Sequence, residues 1–296
     1  MTSASSPESA ARAPSPSSGL ARQVRRKATI VVSTVAAAWL LALAALALFQ
    51  DRVIFPAPGK SQSEFFRGGQ ILRLPSARGE AVALYFPGRG FVTTLVYFHG
   101  NGEQLIDTED WIFELTRRGF AVLAVEYPGY GLAASSGPPS EPGCYAAAEA
   151  ALTWLRAQGV PRENTVLVGH ALGAAVAAEM ALRGHGERLV LLAPMTSTVE
   201  ALGRMFPYLP VSWFVRDRFD TLEKAPRIAV PTLIVHGKED EVVPATMGRS
   251  IAKAIPGATL VMPPYSRHDM INTRLEPLSR CVAQFVREGA CWVEIR

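Results

Sequence analysis

One segment of the chain has the spacing of a nucleophile turn but lacks the nucleophile. Gly169 and Gly173 bracket the tripeptide His-Ala-Leu, directly after an apolar run and directly before an alanine-rich stretch. A strand-to-helix turn of the form Gly-x-Ser-x-Gly uses its glycines to let strand and helix approach closely, and it exposes its central side chain. The central residue here is Ala171, which has no hydroxyl group with which to attack a carbonyl carbon.

Three further segments would complete a site for acyl transfer. The glycine-rich turn at His99 and Asn101 follows an apolar run and can offer a backbone N–H group to a developing oxyanion. Asp240 comes just after another apolar run, and His268 follows the last one. Each has an ordinary structural alternative, as a turn aspartate, a loop histidine or a core histidine. Ala171, Asp240 and His268 nevertheless follow one another in the order of nucleophile, acid and histidine that hydrolases with an α/β sheet have. Together with the glycine-rich turn they predict a hydrolase-type site.

The segments that must position these residues alternate between two patterns. Short apolar runs are separated by alanine- and leucine-rich stretches of helical length, which predicts an open α/β fold of three layers, with a mostly parallel sheet covered on both faces. The predicted strands are Ala81–Phe86, Thr94–Phe98, Phe120–Val125, Thr165–Val168, Arg188–Leu192, Thr232–Val235 and Thr259–Met262. The predicted helices are Gln104–Arg118, Glu141–Ala157, Leu172–Arg183, Ala245–Ala254 and Ile271–Arg287.

Residues 52–290 resemble a known family, the α/β-hydrolase-domain serine hydrolases. The chain is especially similar to a membrane-anchored branch with lipase-like and depalmitoylase-like members. The resemblance implies an α/β-hydrolase fold with a short cap. It is carried by Tyr97–Gly102, Glu126–Gly131, Pro138–Glu141, Phe206–Pro210, Arg216–Asp220 and Val235–Asp240.

The resemblance also implies a role for each site residue. Asp240 and His268 would be the acid and the base, and the backbone N–H groups of Asn101 and Leu172 would form the oxyanion hole. Ala171 occupies the position of the nucleophilic serine. The other residues of the elbow are Gly169, His170 and Gly173.

Alanine at the nucleophile position predicts that hydrolysis of an ester or thioester is impaired. The chain would be a natural non-catalytic homologue (a pseudoenzyme that binds ligand or serves as a scaffold), a hydrolase deliberately changed to trap a complex, or an enzyme with a shifted mechanism. A shifted mechanism would use a water activated by His268 or a relocated serine. The serines in loops near strand ends are Ser135, Ser136, Ser197 and Ser266.

The sequence of the N-terminal region predicts a membrane anchor that is preceded by a tail. Residues 1–27 are rich in Ser, Pro and Ala and predict a disordered cytoplasmic tail. Residues 28–49 carry no charge. As a helix they would span roughly 33 Å, enough for a hydrocarbon core of about 30 Å. A cleaved signal peptide and a buried core helix are the alternatives. Cationic residues before the span place the N-terminus in the cytoplasm and the domain at 52–296 outside it, in a periplasm, a lumen or the cell exterior.

Composition and charge exclude several classes of protein. The 296 residues are 49% hydrophobic and 19% charged, unlike a disordered or collagen-like chain. The net charge of +4 lies within residues 1–27, so the remainder is neutral and nucleic acid is not an expected partner. No spacing typical of a metal site, a phosphate loop or a dinucleotide fingerprint is present, so neither a metal nor a cofactor is expected.

Two features leave alternatives open. Cys281 and Cys291 are ten positions apart and would pair in an oxidising compartment, or all three cysteines, with Cys144, would be unpaired small hydrophobic residues. Aromatic residues are dense between Met195 and Asp220, where such folds insert a cap. They would either pack beneath a loop or form an apolar rim for the acyl chain of an ester or thioester ligand drawn from a membrane.

Overall fold

A computed structural model describes residues 16–58, 67–88 and 93–295. Residues 1–15 of the predicted disordered tail lie outside these residues, whereas residues 16–27 differ from the prediction because they belong to the first helix. The chain divides into two compact units, and the second begins at Gln50.

The first helix, α1, runs from Pro16 to Ile54. Its segment Leu20–Ile54 is long and apolar enough to cross a membrane by length and composition. This agrees with an anchor at residues 28–49, and the orientation of that anchor stays a prediction.

An eight-stranded sheet forms the centre of the second unit. The strands are β1 (Gln70–Ser76), β2 (Gly79–Phe86), β3 (Thr94–Phe98), β4 (Ala121–Glu126), β5 (Thr165–His170), β6 (Arg188–Leu192), β7 (Thr232–Val235) and β8 (Thr259–Val261). Their order in the sheet is β1-β2-β4-β3-β5-β6-β7-β8. The pairs β1–β2 and β2–β4 are antiparallel, and all later neighbours are parallel.

Strand β1 is not among the predicted strands. It is an edge strand that alternates between buried and exposed positions and contains Arg73 and Pro75, so it lacks the continuous apolar run of the inner strands. It becomes a strand through its antiparallel pairing with β2, the strand that follows it.

Helices cover both faces of the sheet, which confirms the predicted fold class. The helices α2 and α9 pack together on one side, whereas α3 and α4 pack together on the other. The helices after α1 are α2 (Glu109–Arg117), α3 (Glu141–Ala157), α4 (Leu172–Leu182), α5 (Thr198–Met205), α6 (Thr221–Lys224), α7 (Ala245–Ala254), α8 (Met270–Thr273) and α9 (Leu275–Glu288).

Between β6 and β7 the chain forms a short cap, with α5, a 3-10 turn at Val211–Trp213 and α6. Near the C-terminus a disulfide joins Cys281 in α9 to Cys291. Of the two alternatives that the sequence left open, the structure therefore has the paired cysteines. Cys144 is unpaired and buried within α3.

Candidate active site

The turn between β5 and α4 has the geometry that its glycines predict. Ala171 lies between the strand and the helix with φ 48° and ψ −110°, a backbone conformation that residues with a side chain rarely adopt. A Cβ atom added at Gly173 would clash with the backbone carbonyl of Phe98, and one at Gly169 would clash with Gly173 itself. Strand and helix therefore approach so closely that only glycine fits at positions 169 and 173, which lie two residues before and two residues after Ala171.

A hydrogen-bonded acid and histidine lie at the same edge of the sheet. The Nδ1 atom of His268 is 2.8 Å from Oδ2 of Asp240. The other carboxylate oxygen of Asp240 accepts hydrogen bonds from the backbone N–H groups of Val242 and Val243, at 2.9 and 2.7 Å. Burial raises the pKa of Asp240, but hydrogen bonds from His236, His268 and Val243 outweigh it and hold that pKa well below its usual value. Asp240 is therefore an anion at neutral pH.

This pairing determines which nitrogen of His268 is available to a ligand. A carboxylate on Nδ1 stabilises the tautomer with a proton on that atom, so Nε2 is left with its lone pair. The side chain of His268 is 22% exposed, whereas that of Asp240 is fully buried. The imidazole can thus reach a ligand while its partner stays out of water.

The glycine-rich turn after β3 lies beside the elbow and is held by its own hydrogen bonds. The hydroxyl of Tyr130 donates to Oδ1 of Asn101 at 3.0 Å. Within the described part of the chain, no carbonyl or carboxylate accepts from the backbone N–H of Asn101 or from that of Leu172. These N–H groups are the two assigned to the oxyanion hole, and Leu172 is the first residue of α4, where helix N–H groups lack an acceptor within the helix.

Sequence reasoning missed a buried ion pair beneath this turn. His170 is almost fully buried, with Nδ1 3.1 Å from Oε1 of Glu103. Its Nε2 atom donates to the backbone carbonyl of His268 at 3.2 Å. The other carboxylate oxygen of Glu103 accepts from the N–H of Gly100 at 2.7 Å. The pair therefore connects the glycine-rich turn, the elbow and the loop of His268.

Both members of this pair are held in their charged forms. Burial lowers the pKa of His170, but the adjacent Glu103 carboxylate and the hydrogen bonds outweigh it, so that pKa is raised. Burial raises the pKa of Glu103, but the charge and hydrogen bond of His170 and the N–H of Gly100 outweigh it and lower that pKa to about 2. The one sequence signal was a carboxylate two residues after Asn101.

Glu103→Gln is expected to lower the free energy of unfolding by about 2 kcal/mol near pH 6, because it removes the anion that keeps His170 charged. A lowered pKa of Glu103 stabilises the fold above pH 4.5, and this contribution disappears as the pH falls towards 2. A raised pKa of His170 stabilises the fold below 6.5, and this contribution disappears as the pH rises through the raised value.

Urea unfolding of the full chain in detergent at a series of pH values would measure this difference. Glu241→Gln, which changes an exposed carboxylate, is the matched control and is expected to change stability little. A Glu103→Gln effect that stayed constant from pH 3 to pH 9 would contradict a charged pair.

Two other histidines are fully buried, and one of them, His236, lies 3.5 Å from Oδ2 of Asp240. His99 is fully buried, stacks on Tyr127 with ring centroids 4.1 Å apart, and lies 3.1 Å from the Glu126 carboxylate. His236 is fully buried and its Nε2 atom donates to the carbonyl of Val243 at 2.8 Å. Both have the ordinary role of joining loops to the core.

The structure of the described residues gives no sign that one of the loop serines takes over the role of the missing nucleophile by bonding to His268. Among the described residues, no serine hydroxyl is hydrogen-bonded to the ring of His268. Ser197 is the N-cap of α5 and accepts from the N–H of Glu200 at 3.1 Å. Ser266 is buried.

Ala171→Gly is expected to leave the free energy of unfolding unchanged or to raise it by up to about 1 kcal/mol, because glycine adopts the conformation at Ala171 without strain. The same substitution at Ala178, within α4, is expected to lower it by about 1 kcal/mol or more. Thermal or urea unfolding of both variants would measure the contrast. Equal losses at the two positions would show that Ala171 is not strained.

No three His, Cys, Asp or Glu side chains are arranged to hold a metal ion within residues 16–58, 67–88 and 93–295. The described site therefore contains a hydrogen-bonded acid and histidine, and it has alanine where a nucleophilic hydroxyl would be needed.

Sequence profiles of two families match the chain, the Alpha/beta hydrolase family over residues 95–225 and TAP-like protein over residues 210–291. An uncharacterized protein of Mycobacterium tuberculosis is 31% identical over 229 residues, which cover 74% of this chain and 81% of that protein. Alpha/beta hydrolase domain-containing protein aho-3 of Caenorhabditis elegans is 35% identical over 55% of this chain. The human alpha/beta hydrolase domain-containing protein 17B is 32% identical over 53% of it.

The chain matches about half the length of these last two relatives, 48% and 54%. Among solved structures, the esterase Pf2001 of Pyrococcus furiosus superposes with a TM-score of 0.64 at 16% identity, over 78% of this chain and 98% of that one. The esterase RhEst1 of a Rhodococcus species superposes with a TM-score of 0.58 at 20% identity, over 74% and 98%. Likeness at such low identity concerns the fold alone.

Proposed function

Because the chain belongs to the α/β-hydrolase family, we propose that its second unit binds an acyl ester or thioester at the site around Ala171, and that hydrolysis there is impaired. The observation that carries this proposal is the contact of 2.8 Å between His268 and Asp240. An acid–histidine pair of this kind serves to take a proton from an attacking hydroxyl group and to stabilise the imidazolium that forms.

The proposed site lacks the hydroxyl oxygen of a nucleophilic serine. With a serine at position 171, Nε2 of His268 would accept the hydroxyl proton, and the N–H groups of Asn101 and Leu172 would bind the oxyanion of the tetrahedral intermediate. A methyl group cannot form the acyl-enzyme bond. Oxyanion stabilisation and substrate binding alone would leave a rate of about 10³ to 10⁴ over that in water.

We infer an apolar acyl group in the ligand from the surroundings of the site. The cap follows β6 and contains exposed Met205, Tyr208 and Trp213. The long apolar helix α1 supports a single-pass membrane anchor with its N-terminus in the cytoplasm and the folded domain on the other side. The disulfide between Cys281 and Cys291 fits an oxidising compartment.

A second candidate function is ligand binding without turnover. Ala171 itself favours it, because a receptor or scaffold needs groups that bind the ligand but no nucleophile. In both cases the ligand is the same, and the two functions differ only in whether product appears.

The full chain in detergent, mixed with long-chain acyl esters and acyl thioesters, would test the proposal. Saturable binding with little or no product is expected. Binding of polar, water-soluble acids only would contradict the proposed ligand class. Complete absence of product during prolonged incubation with a bound ester would favour the second candidate.

A further inference from the structure

Three large side chains of the cap are mostly exposed. Met205 is 65% exposed, Tyr208 87% and Trp213 82%. We call these three residues the cap surface. These three large side chains lie within nine residues of one another in the sequence, and exposed apolar side chains that are grouped in this way commonly mark an interaction site.

The backbone of the same cap is bonded to the last turns of α1. The side-chain amide of Gln50 donates to the carbonyl of Phe214 at 3.1 Å and accepts from the N–H of Arg216 at 3.0 Å. The carboxylate of Asp51 accepts from the guanidinium of Arg216 at 3.0 and 3.2 Å. Gln50 is only 2% exposed. The cap is therefore attached at the residue where the folded unit begins.

This attachment determines where a membrane would lie relative to the cap. The uncharged run of the anchor ends at Phe49, and Gln50 is the next residue. Trp213 is the neighbour of Phe214, to which Gln50 donates its hydrogen bond. Since successive Cα atoms are about 3.8 Å apart, the chain would leave a bilayer within a few residues' distance of Trp213.

From this continuity, which rests on the proposed membrane anchor, we propose that the cap surface docks onto the phospholipid bilayer that the helix crosses. Tryptophan and tyrosine favour the boundary between head groups and acyl chains, because their rings are apolar and their N–H or O–H groups are polar. Arg204, Arg216 and Arg218 belong to the same segment and are exposed, and guanidinium groups at a membrane surface can donate hydrogen bonds to lipid phosphates.

Docking would also bring the site to its ligand. The cap follows β6, and the carbonyl of Leu192 at the end of β6 accepts from the N–H of Ala171 at 2.9 Å. Ser197, the N-cap residue of helix α5, comes five residues after Leu192. Docking would then bring the bilayer to the segment that directly follows β6, the strand that is hydrogen-bonded to the elbow.

The test uses the full chain reconstituted in phosphatidylcholine vesicles whose acyl chains are brominated near the glycerol end, since bromine quenches nearby tryptophan. Trp39→Phe removes the tryptophan of the helix from the background. Trp213→Phe is then compared with Trp292→Phe, a matched change at a residue that is 78% exposed near the C-terminus. Most of the bromine-dependent loss of fluorescence is expected to disappear in the Trp213→Phe protein and to remain in the Trp292→Phe protein.

Flotation and extraction with alkaline carbonate show separately whether the chain is integrated in the vesicles. An integrated chain in which bromine quenches Trp213 no more than Trp292 would overturn the docking proposal and leave the anchor standing. A chain that does not float would overturn both. Shielding of Trp213 from aqueous acrylamide without bromine quenching would assign the cap surface to contact with a second copy of the chain and would overturn docking onto lipid.

Discussion

Replacing Ala171 with serine is expected to raise the turnover of long-chain acyl esters by about 10⁴- to 10⁶-fold, because removal of the serine from a working triad lowers kcat by about 10⁶. The hydrogen bond between Asp240 and His268 that a serine requires is present in the chain as it stands, and Leu172 begins α4 directly after position 171. Serine differs from alanine by one oxygen atom, so it fits the same turn. The serine form should also react with a phosphonate probe that labels only activated serines.

Ester hydrolysis and probe labelling of the full chain, with and without Ala171→Ser, would measure this gain. Ala178→Ser adds a hydroxyl group to α4 away from the turn and should gain nothing. If neither the serine form nor the parent reacted, the surroundings of Ala171 would not form a working site. If both turned over equally, the nucleophile would lie elsewhere.

In the Ala171→Ser protein, Asp240→Asn is expected to lower kcat by about 10⁴-fold with a much smaller change in KM. The carboxylate holds the proton of His268 on Nδ1 through a bond of 2.8 Å. An amide at that place can donate a hydrogen bond, which favours the opposite tautomer and leaves Nε2 unable to accept the serine proton.

Steady-state kinetics over a range of pH would measure this loss. Because the pKa of Asp240 is held well below its usual value, no limb of the pH profile of the Ala171→Ser protein should arise from this carboxylate. Glu239→Gln, at the exposed neighbouring carboxylate, is the matched control and should retain full activity. A loss in Asp240→Asn as small as that in Glu239→Gln would remove Asp240 from the proposed mechanism.

Elements with a strong local pattern were predictable. The strand into Gly169 and the helix after Gly173 follow from a buried apolar run and an alanine-rich stretch that a tight turn must join. Strand β1 was not predictable, because an edge strand with Arg73 and Pro75 becomes a strand only through its neighbour. The helix α5 was missed as well, since the aromatic residues that follow it obscure its short apolar face.

Some features depend on residues that are far apart in the chain. Glu103 and His170 are 67 positions apart, and neither has a local pattern that names the other. Nor does Gln50 show in sequence that it bonds to Phe214, 164 positions later. Ion pairs and hydrogen bonds between distant segments form only once the sheet has brought the ends of its strands together.

The order of residues along the chain was enough to identify the class of fold, the turn at Ala171 and the acid and histidine that belong with it, because each stands where a strand ends. The charge of the buried His170 and the attachment of the cap to the end of α1 required the folded chain. Both depend on which groups are buried beside one another, and burial is a property of packed neighbours that a local stretch of sequence does not contain.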